Sequence, residues 1–226
     1  MEGLNYLWDV NHPRGYKNRI GVYKTKIELE FIQKHIVETV KVLDIGGGSG
    51  RLANSLHFNG SEVTILDINS HAVSVAKNRG LDAYCISLLD YKSEKLFDLL
   101  LSIEMLECIN DKQEFFIKVN ENLRINGIFV FTILNPNSWR FKIRNLRKGK
   151  TNYFYISHEE IIKLAENTGF EEIDKKGFMW MPFRVCSNNF FVSLFIFIER
   201  MLKLNKYISQ SPWLIIAIKK NNEYIN

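Results

Sequence analysis

Glycines at positions 46, 47, 48 and 50 follow the apolar run Val40–Ile45 and precede Leu52, Ala53 and Leu56, which are spaced as a helix would space them. Glycine at such a turn lets a ligand approach the backbone and meet the positive end of the helix dipole. Asp44 stands on the strand just ahead of the turn. A carboxylate there is costly unless it meets a cationic or hydrogen-bonding partner, and a ligand amine would serve. Asp67 closes the next apolar run roughly twenty residues on, the place from which an acid binds both ribose hydroxyls of a nucleotide-like ligand. The chemistry implied is recognition of a nucleoside that carries a positive group.

A purely structural turn is the plain alternative, since a glycine-rich turn alone is weak evidence. Dinucleotide binding would need the fingerprint GxGxxG, but position 51 is Arg51. No Gly-Lys-Ser or Gly-Lys-Thr follows, which excludes a P-loop. Glu104 lies just past the fourth expected strand, where ligands of open α/β sheets gather, and is a candidate catalytic or binding carboxylate. A salt-bridging or helix-start role is its alternative.

The elements that must position these residues alternate. Strands are expected at Val40–Ile45, Val63–Leu66, Ala83–Ile86, Phe97–Ile103, Ile128–Ile133, around Phe170–Trp180 and at Trp213–Ile218. Helices are expected after the glycine turn, from Asn69 or Ser70 to Arg79, from Asn110 or Asp111 to about Asn122, from the capping box Ser157/Glu160 to Gly169, and over Phe190–Leu204. Asn126-Gly127 is expected to turn the chain into the fifth strand. The fold class is therefore α/β: a Rossmann-like, seven-stranded, mostly parallel sheet with one antiparallel strand near the carboxyl end and helices on both faces. One domain is expected over 1–226, with an amino-terminal helical lid at 1–38 and a cofactor-binding half at 39–134. The acceptor-side half, 135–226, carries a basic insertion at 136–156 and an apolar helix within 187–204.

The apolar fraction of 46% and charged fraction of 24% are those of ordinary globular chains. The net charge of +5 is local, because Arg140, Lys142, Arg144, Arg147, Lys148 and Lys150 lie together without an acid, and removing them would turn the balance slightly negative. A nucleic-acid partner is therefore not expected. Cys85, Cys108 and Cys186 have neither disulfide nor zinc spacing, and Met1–Val10 lacks a signal-peptide core, so a reducing cytoplasmic setting is expected. The apolar run Phe190–Ile198 falls short of the roughly 20 residues of a membrane span. No residue cluster has metal-ligand spacing, so no metal is expected.

The run VLDIGGGSGRLA, Val42–Ala53, resembles motif I of class I S-adenosylmethionine-dependent methyltransferases, with Asp44, Gly46, Gly48 and Gly50 on the Asp-x-Gly-x-Gly-x-Gly pattern. VTILDIN, Val63–Asn69, and FDLLLSIEMLECIND, Phe97–Asp111, resemble the family's next motifs, and within the family the chain is most similar to quinone-biosynthesis and related small-molecule methyltransferases. The resemblance implies S-adenosylmethionine as cofactor. It places Gly46 and Gly48 under the methionine portion, Asp67 on the ribose, Ile68 against the adenine and Glu104 at the mouth of the site. Ser87, Leu88 and Leu89 stand where relatives place an acid for the adenine amine, Asp90 comes slightly late, and backbone groups would replace it. Cys108 replaces a histidine common in relatives, which removes a candidate acid or base from the cleft.

The resemblance further implies methyl transfer to a small-molecule acceptor, a hydroxyl on an apolar or lipid-like compound. The alternatives are a nucleic-acid methyltransferase, against which Ser102-Ile103-Glu104-Met105 replaces the Asn-Pro-Pro-Tyr-like motif, or a cofactor-binding relative without catalysis. A hydroxyl acceptor needs a base, and His158 is a candidate with helix-start solvation as its alternative. His12, His35, His57 and His71 make no stronger case. Arg14 and Arg19 could clamp the cofactor's carboxylate, and Tyr6 and Trp8 could cover the acceptor. The basic stretch and the Phe190–Leu204 helix could together rest on an anionic membrane, with core or dimer packing as the alternative. The chain is expected as a monomer or homodimer.

Overall fold

In the computed structural model, residues 18–36, 38–147, 153–183 and 189–221 are described. The strands are β1 (Lys41–Ile45), β2 (Glu62–Asp67), β3 (Asp82–Cys85), β4 (Phe97–Ser102), β5 (Leu123–Leu134), β6 (Phe170–Phe178) and β7 (Trp213–Lys220). They form one sheet in the order β3-β2-β1-β4-β5-β7-β6. β1 to β5 are parallel neighbours, whereas β7 runs antiparallel to both β5 and β6. This is the Rossmann-like arrangement with one reversed strand that the spacing predicts.

The helices are α1 (Arg19–Gln33), α2 (Arg51–Phe58), α3 (Ser70–Asn78), α4 (Lys112–Asn122), α5 (Trp139–Arg147), α6 (His158–Asn167) and α7 (Val192–Met201). Alternate residues of each central strand feed opposite cores, which is why β1 and β4 read as unbroken apolar runs. Val42, Leu99 and Leu101 pack with α1, α2, α3 and α7 through Tyr23, Leu52, Val73 and Val192. Leu43 and Leu100 pack with α4 and α6 through Phe115, Phe116 and Ile161. Phe116 is central to the second core, its ring centre 5.6 Å from those of both Phe129 and Phe131 in edge-on contact.

Several helix starts are where local chemistry puts them. Asn69 accepts from the Ala72 N–H, Asp111 from the Glu114 N–H, and Ser157 with Glu160 forms the reciprocal capping box. Several boundaries differ from expectation. β5 begins at Leu123, directly after α4, and Asn126-Gly127 forms a bulge inside it: pairing with β4 passes from Phe97↔Leu123 to Leu99↔Ile128, with Asn126 at φ 64°. β6 ends at Phe178, before Trp180. α7 ends at Met201, because Lys203 turns left-handed at φ 49° and short 3₁₀ turns follow. α1, the described part of the expected amino-terminal segment, buries Ile20, Tyr23, Ile27, Phe31 and Ile32 in the first core.

The basic stretch folds as α5 over residues 139–147. Its first base, Arg140, donates to the carbonyls of Met181 (2.9 Å) and Phe183, and so ties α5 to the chain leaving β6. Lys148, Lys150 and Cys186 lie outside the described residues.

Candidate active site

The turn after β1 is built from backbone that only glycine adopts cheaply. Gly46 (φ 71°) donates to the Leu66 carbonyl at 2.7 Å, and a Cβ on it would lie 2.6 Å from Met105 Cγ. Gly50 (φ 79°) starts α2 without a side-chain cap, and a Cβ there would run into Leu81. The Gly48 N–H points at Asp67 Oδ2 (2.9 Å), while Asp67 Oδ1 accepts from the Asn69 N–H (2.8 Å). Burial raises the Asp67 carboxyl above its ordinary value, partly offset by these two backbone donors. Each oxygen keeps lone pairs for a further donor.

Beside this turn opens a cleft of about 310 Å³ whose lining includes Gly46, Asp67, Ile68, Leu88, Leu89 and Glu104. Its wall is mostly apolar, with Leu66, Ile86, Met105 and Phe115 among the contributors, and Cys108 also reaches it. Ile68 is 75% exposed, an apolar surface at the end of β2. Asp67 and Glu104 are the acids of the described lining; Asp90 is not part of it. The Cys108 thiol is pushed up by burial and by Glu107, and is therefore protonated at neutral pH.

Behind the cleft lies a cluster of charges. Lys24 Nζ is 2.7 Å from Glu104 Oε1, and Arg51 reaches Glu28 Oε2 at 2.6 Å and Glu104 Oε1 at 3.5 Å. Glu28 is fully buried, and burial raises its carboxyl against the pull of Arg51 and Lys24. Glu104 carries a burial cost too, but Lys24 and Arg51 outweigh it and hold the carboxyl below its ordinary value. It sits in left-handed backbone (φ 62°), its N–H donated to Thr132 Oγ1 at 2.8 Å. Asp44 is buried beneath the turn, close against Gly47, and does not line the cleft. Burial pushes its carboxyl up to about 7; Arg51 opposes the rise, and Asp67 and Glu28 add to it.

The structure thus brings Gly46, Asp67, Ile68, Leu88, Leu89 and Glu104 to one cleft, with Gly48 and Gly50 in the turn behind it. His158 is not brought there. It opens α6, and its Nε2 lies 2.5 Å from Glu172 Oε2 on β6, so the expected base is half of a partly buried pair between a helix and a strand. Arg19 lies against Phe190, donating to its carbonyl at 3.4 Å. Tyr6, Trp8, His12 and Arg14 lie outside the described residues. Lys24 and Glu28 were absent from the sequence reading, although α1 carries a signal: Ile20, Lys24, Ile27 and Phe31 share one helical face, so the lysine interrupts an apolar stripe.

The residues present fit a sulfonium nucleoside. Asp67 suits ribose hydroxyls, Ile68 an adenine face, and Glu104 an ammonium, and Gly46 adds no side chain of its own to the lining. A family model described as "Methyltransferase domain" matches residues 13–175. The ubiquinone biosynthesis O-methyltransferase of Rickettsia canadensis is 24% identical over 214 residues, 85% of this chain and 91% of that protein. Among solved structures, the magnesium protoporphyrin IX methyltransferase of Synechocystis PCC 6803, with bound S-adenosylhomocysteine, superposes at TM-score 0.67 with 12% identity, covering 89% of this chain and 85% of that one. An N-methyltransferase of Bradyrhizobium japonicum in complex with S-adenosylhomocysteine gives 0.63 with 14% identity, covering 91% and 90%.

Proposed function

This chain belongs to the class I S-adenosylmethionine-dependent methyltransferases, and from that premise we propose that it methylates a hydroxyl on an apolar or lipid-like small molecule. The observation that carries the reading is the pairing of Asp67, pinned by the Gly48 and Asn69 N–H groups, with an apolar cleft whose other acid is Glu104. Bound there, S-adenosylmethionine supplies an electrophilic methyl on a sulfonium whose departure leaves a neutral thioether. The work left to the chain is alignment and exclusion of water.

Asp67 accepts the ribose hydroxyls. Ile68, Leu88 and Leu89 give the base an apolar bed. Glu104 is kept ionised by Lys24 and Arg51, which suits it to hold a cation and makes it a poor proton acceptor at neutral pH. Glu104 is therefore assigned to cofactor binding and not to general-base catalysis. None of the described histidines lines the cleft. A phenolic hydroxyl, which ionises far more readily than an alkyl one, suits such a lining, and the Rickettsia relative named for O-methylation in ubiquinone biosynthesis agrees with oxygen as acceptor.

The test is incubation of the full chain with methyl-labelled S-adenosylmethionine and three acceptors: a phenol with a polyprenyl tail, the same phenol without it, and a primary amine. Label on the oxygen of the tailed phenol is expected. Label on nitrogen alone, or on neither phenol while S-adenosylmethionine binds, overturns the acceptor reading. Lack of S-adenosylmethionine binding overturns the site itself.

A further inference from the structure

α7 is apolar on two sides, and the fold uses one of them. Val192, Phe195, Ile196 and Glu199 turn toward the protein, where the ring of Phe195 meets that of Phe183 at 5.2 Å. Phe190, Leu194, Phe197 and Met201, spaced as one helical face, point outward and are 77%, 50%, 61% and 59% exposed. Exposed aromatic and aliphatic side chains in one contiguous stripe mark a contact surface.

The charges around the stripe select its partner. From 189 to 210 the acid is Glu199, which is buried, while the exposed charged residues are Arg200, Lys203 and Lys206. Arg19 of α1 joins them, its guanidinium 5.7 Å from the centre of the Phe190 ring. A second copy of this chain would bring the same cations against these, with no exposed acid on the segment to meet them. An anionic surface with an apolar interior complements both features. Among the described residues no helix is long and apolar enough to cross a membrane, and the ten residues of α7 suit lying in the plane of an interface.

The topology gives the stripe its place. β7 is antiparallel to β5 and β6, so β6 runs in the same direction as β1 and β4. The segment from Met179 to Pro212, α7 included, therefore leaves from and returns to the same edge of the sheet that carries the cleft.

We propose that the outward face of α7, with Arg200, Lys203 and Lys206, docks the protein on the surface of an anionic lipid bilayer. This goes beyond the methyl-transfer reading and does not depend on it, though a docked cleft edge would face an acceptor dissolved in the bilayer.

The experiment is co-sedimentation of the full chain with phosphatidylcholine vesicles and with vesicles of equal parts phosphatidylcholine and phosphatidylglycerol. Sedimentation in parallel reports the oligomeric state. Binding to the mixed vesicles, reversed by salt, is expected. Lys203→Gln with Lys206→Gln should weaken it about thirtyfold, and Leu194→Glu with Phe197→Glu should abolish it, each with the circular dichroism and melting of the parent. No binding to the mixed vesicles, equal binding to neutral ones, or a dimer that Leu194→Glu with Phe197→Glu dissolves would each overturn the proposal.

Discussion

The ammonium of Lys24 lies 2.7 Å from Glu104 Oε1 and 3.8 Å from the centre of the Trp213 ring. An amino-terminal helix, the bend after β4 and the first residue of β7 thus meet at one cation. The lysine side chain is 3% exposed and the glutamate 34%, so the pair is shielded on one side and open to the cleft on the other.

Removing Lys24 should therefore disturb both stability and binding. Breaking a buried ion pair from one side costs roughly 3–5 kcal/mol, and the partial exposure of Glu104 lowers this to about 2–3 kcal/mol for Lys24→Met. Glu104→Gln should cost less, and the double variant less than the sum. Urea unfolding of the four proteins measures the coupling; additivity within error would show that the pair does not interact.

The acid beneath the glycine turn sets a pH dependence. Burial pushes the Asp44 carboxyl up to about 7 in the folded chain, with Arg51 on α2 opposing, and Asp67 on β2 and Glu28 on α1 adding. Its unfolded value is about 3.9. Because the folded form keeps the proton longer, this contribution to stability is full in acid and is lost as pH rises from about 4 through about 7. Asp44→Asn should flatten that decline. Unfolding curves at about pH 5 and about pH 8 decide it; an unchanged slope rejects the buried-acid account.

Asp67 is expected to matter for binding. Asp67→Ala should weaken S-adenosylhomocysteine about 10- to 100-fold, the loss of hydrogen bonds to a charged acceptor. It also strips an acceptor from the Gly48 and Asn69 N–H groups, so some stability falls too. Asp67→Asn, which keeps one acceptor oxygen, should fall between. Calorimetric titration, with melting curves to confirm folding, is the measurement; native affinity in a folded Asp67→Ala protein would remove the ribose assignment.

Cys108 offers a chemical reporter. Its thiol reaches the cleft but is raised by burial, so alkylation by iodoacetamide should be slow at neutral pH and faster in mild alkali. Saturating S-adenosylhomocysteine should slow it further. Peptide mass spectrometry follows the modification, and equal rates with and without ligand would place the ligand elsewhere.

The glycine turn, Asp67 and the sheet were legible because each is written locally. A strand ends, glycines follow, and an acid closes the next strand. The cluster behind Glu104 was not, since Lys24, Glu28 and Arg51 become neighbours through packing of α1 on α2, and no spacing links position 24 to position 104. Arg140 illustrates the same limit: it reads as one base of a cationic run, yet its guanidinium is taken up by the carbonyls of Met181 and Phe183. His158 reads as a candidate base at a helix start, and nothing in the spacing tells that the fold sets Glu172 beside it. The end of α7 escaped because a lysine, not a glycine, takes the left-handed position.

Phe178, the last residue of β6, pairs directly with Trp213, the first of β7. Everything between them is an excursion that departs and returns through one doorway, and closing such a loop costs little more when it is longer. The scaffold can thus accept a different cassette at this point without re-registering a strand. One piece of chain can be exchanged there while the glycine turn and Asp67 keep their places in the sheet.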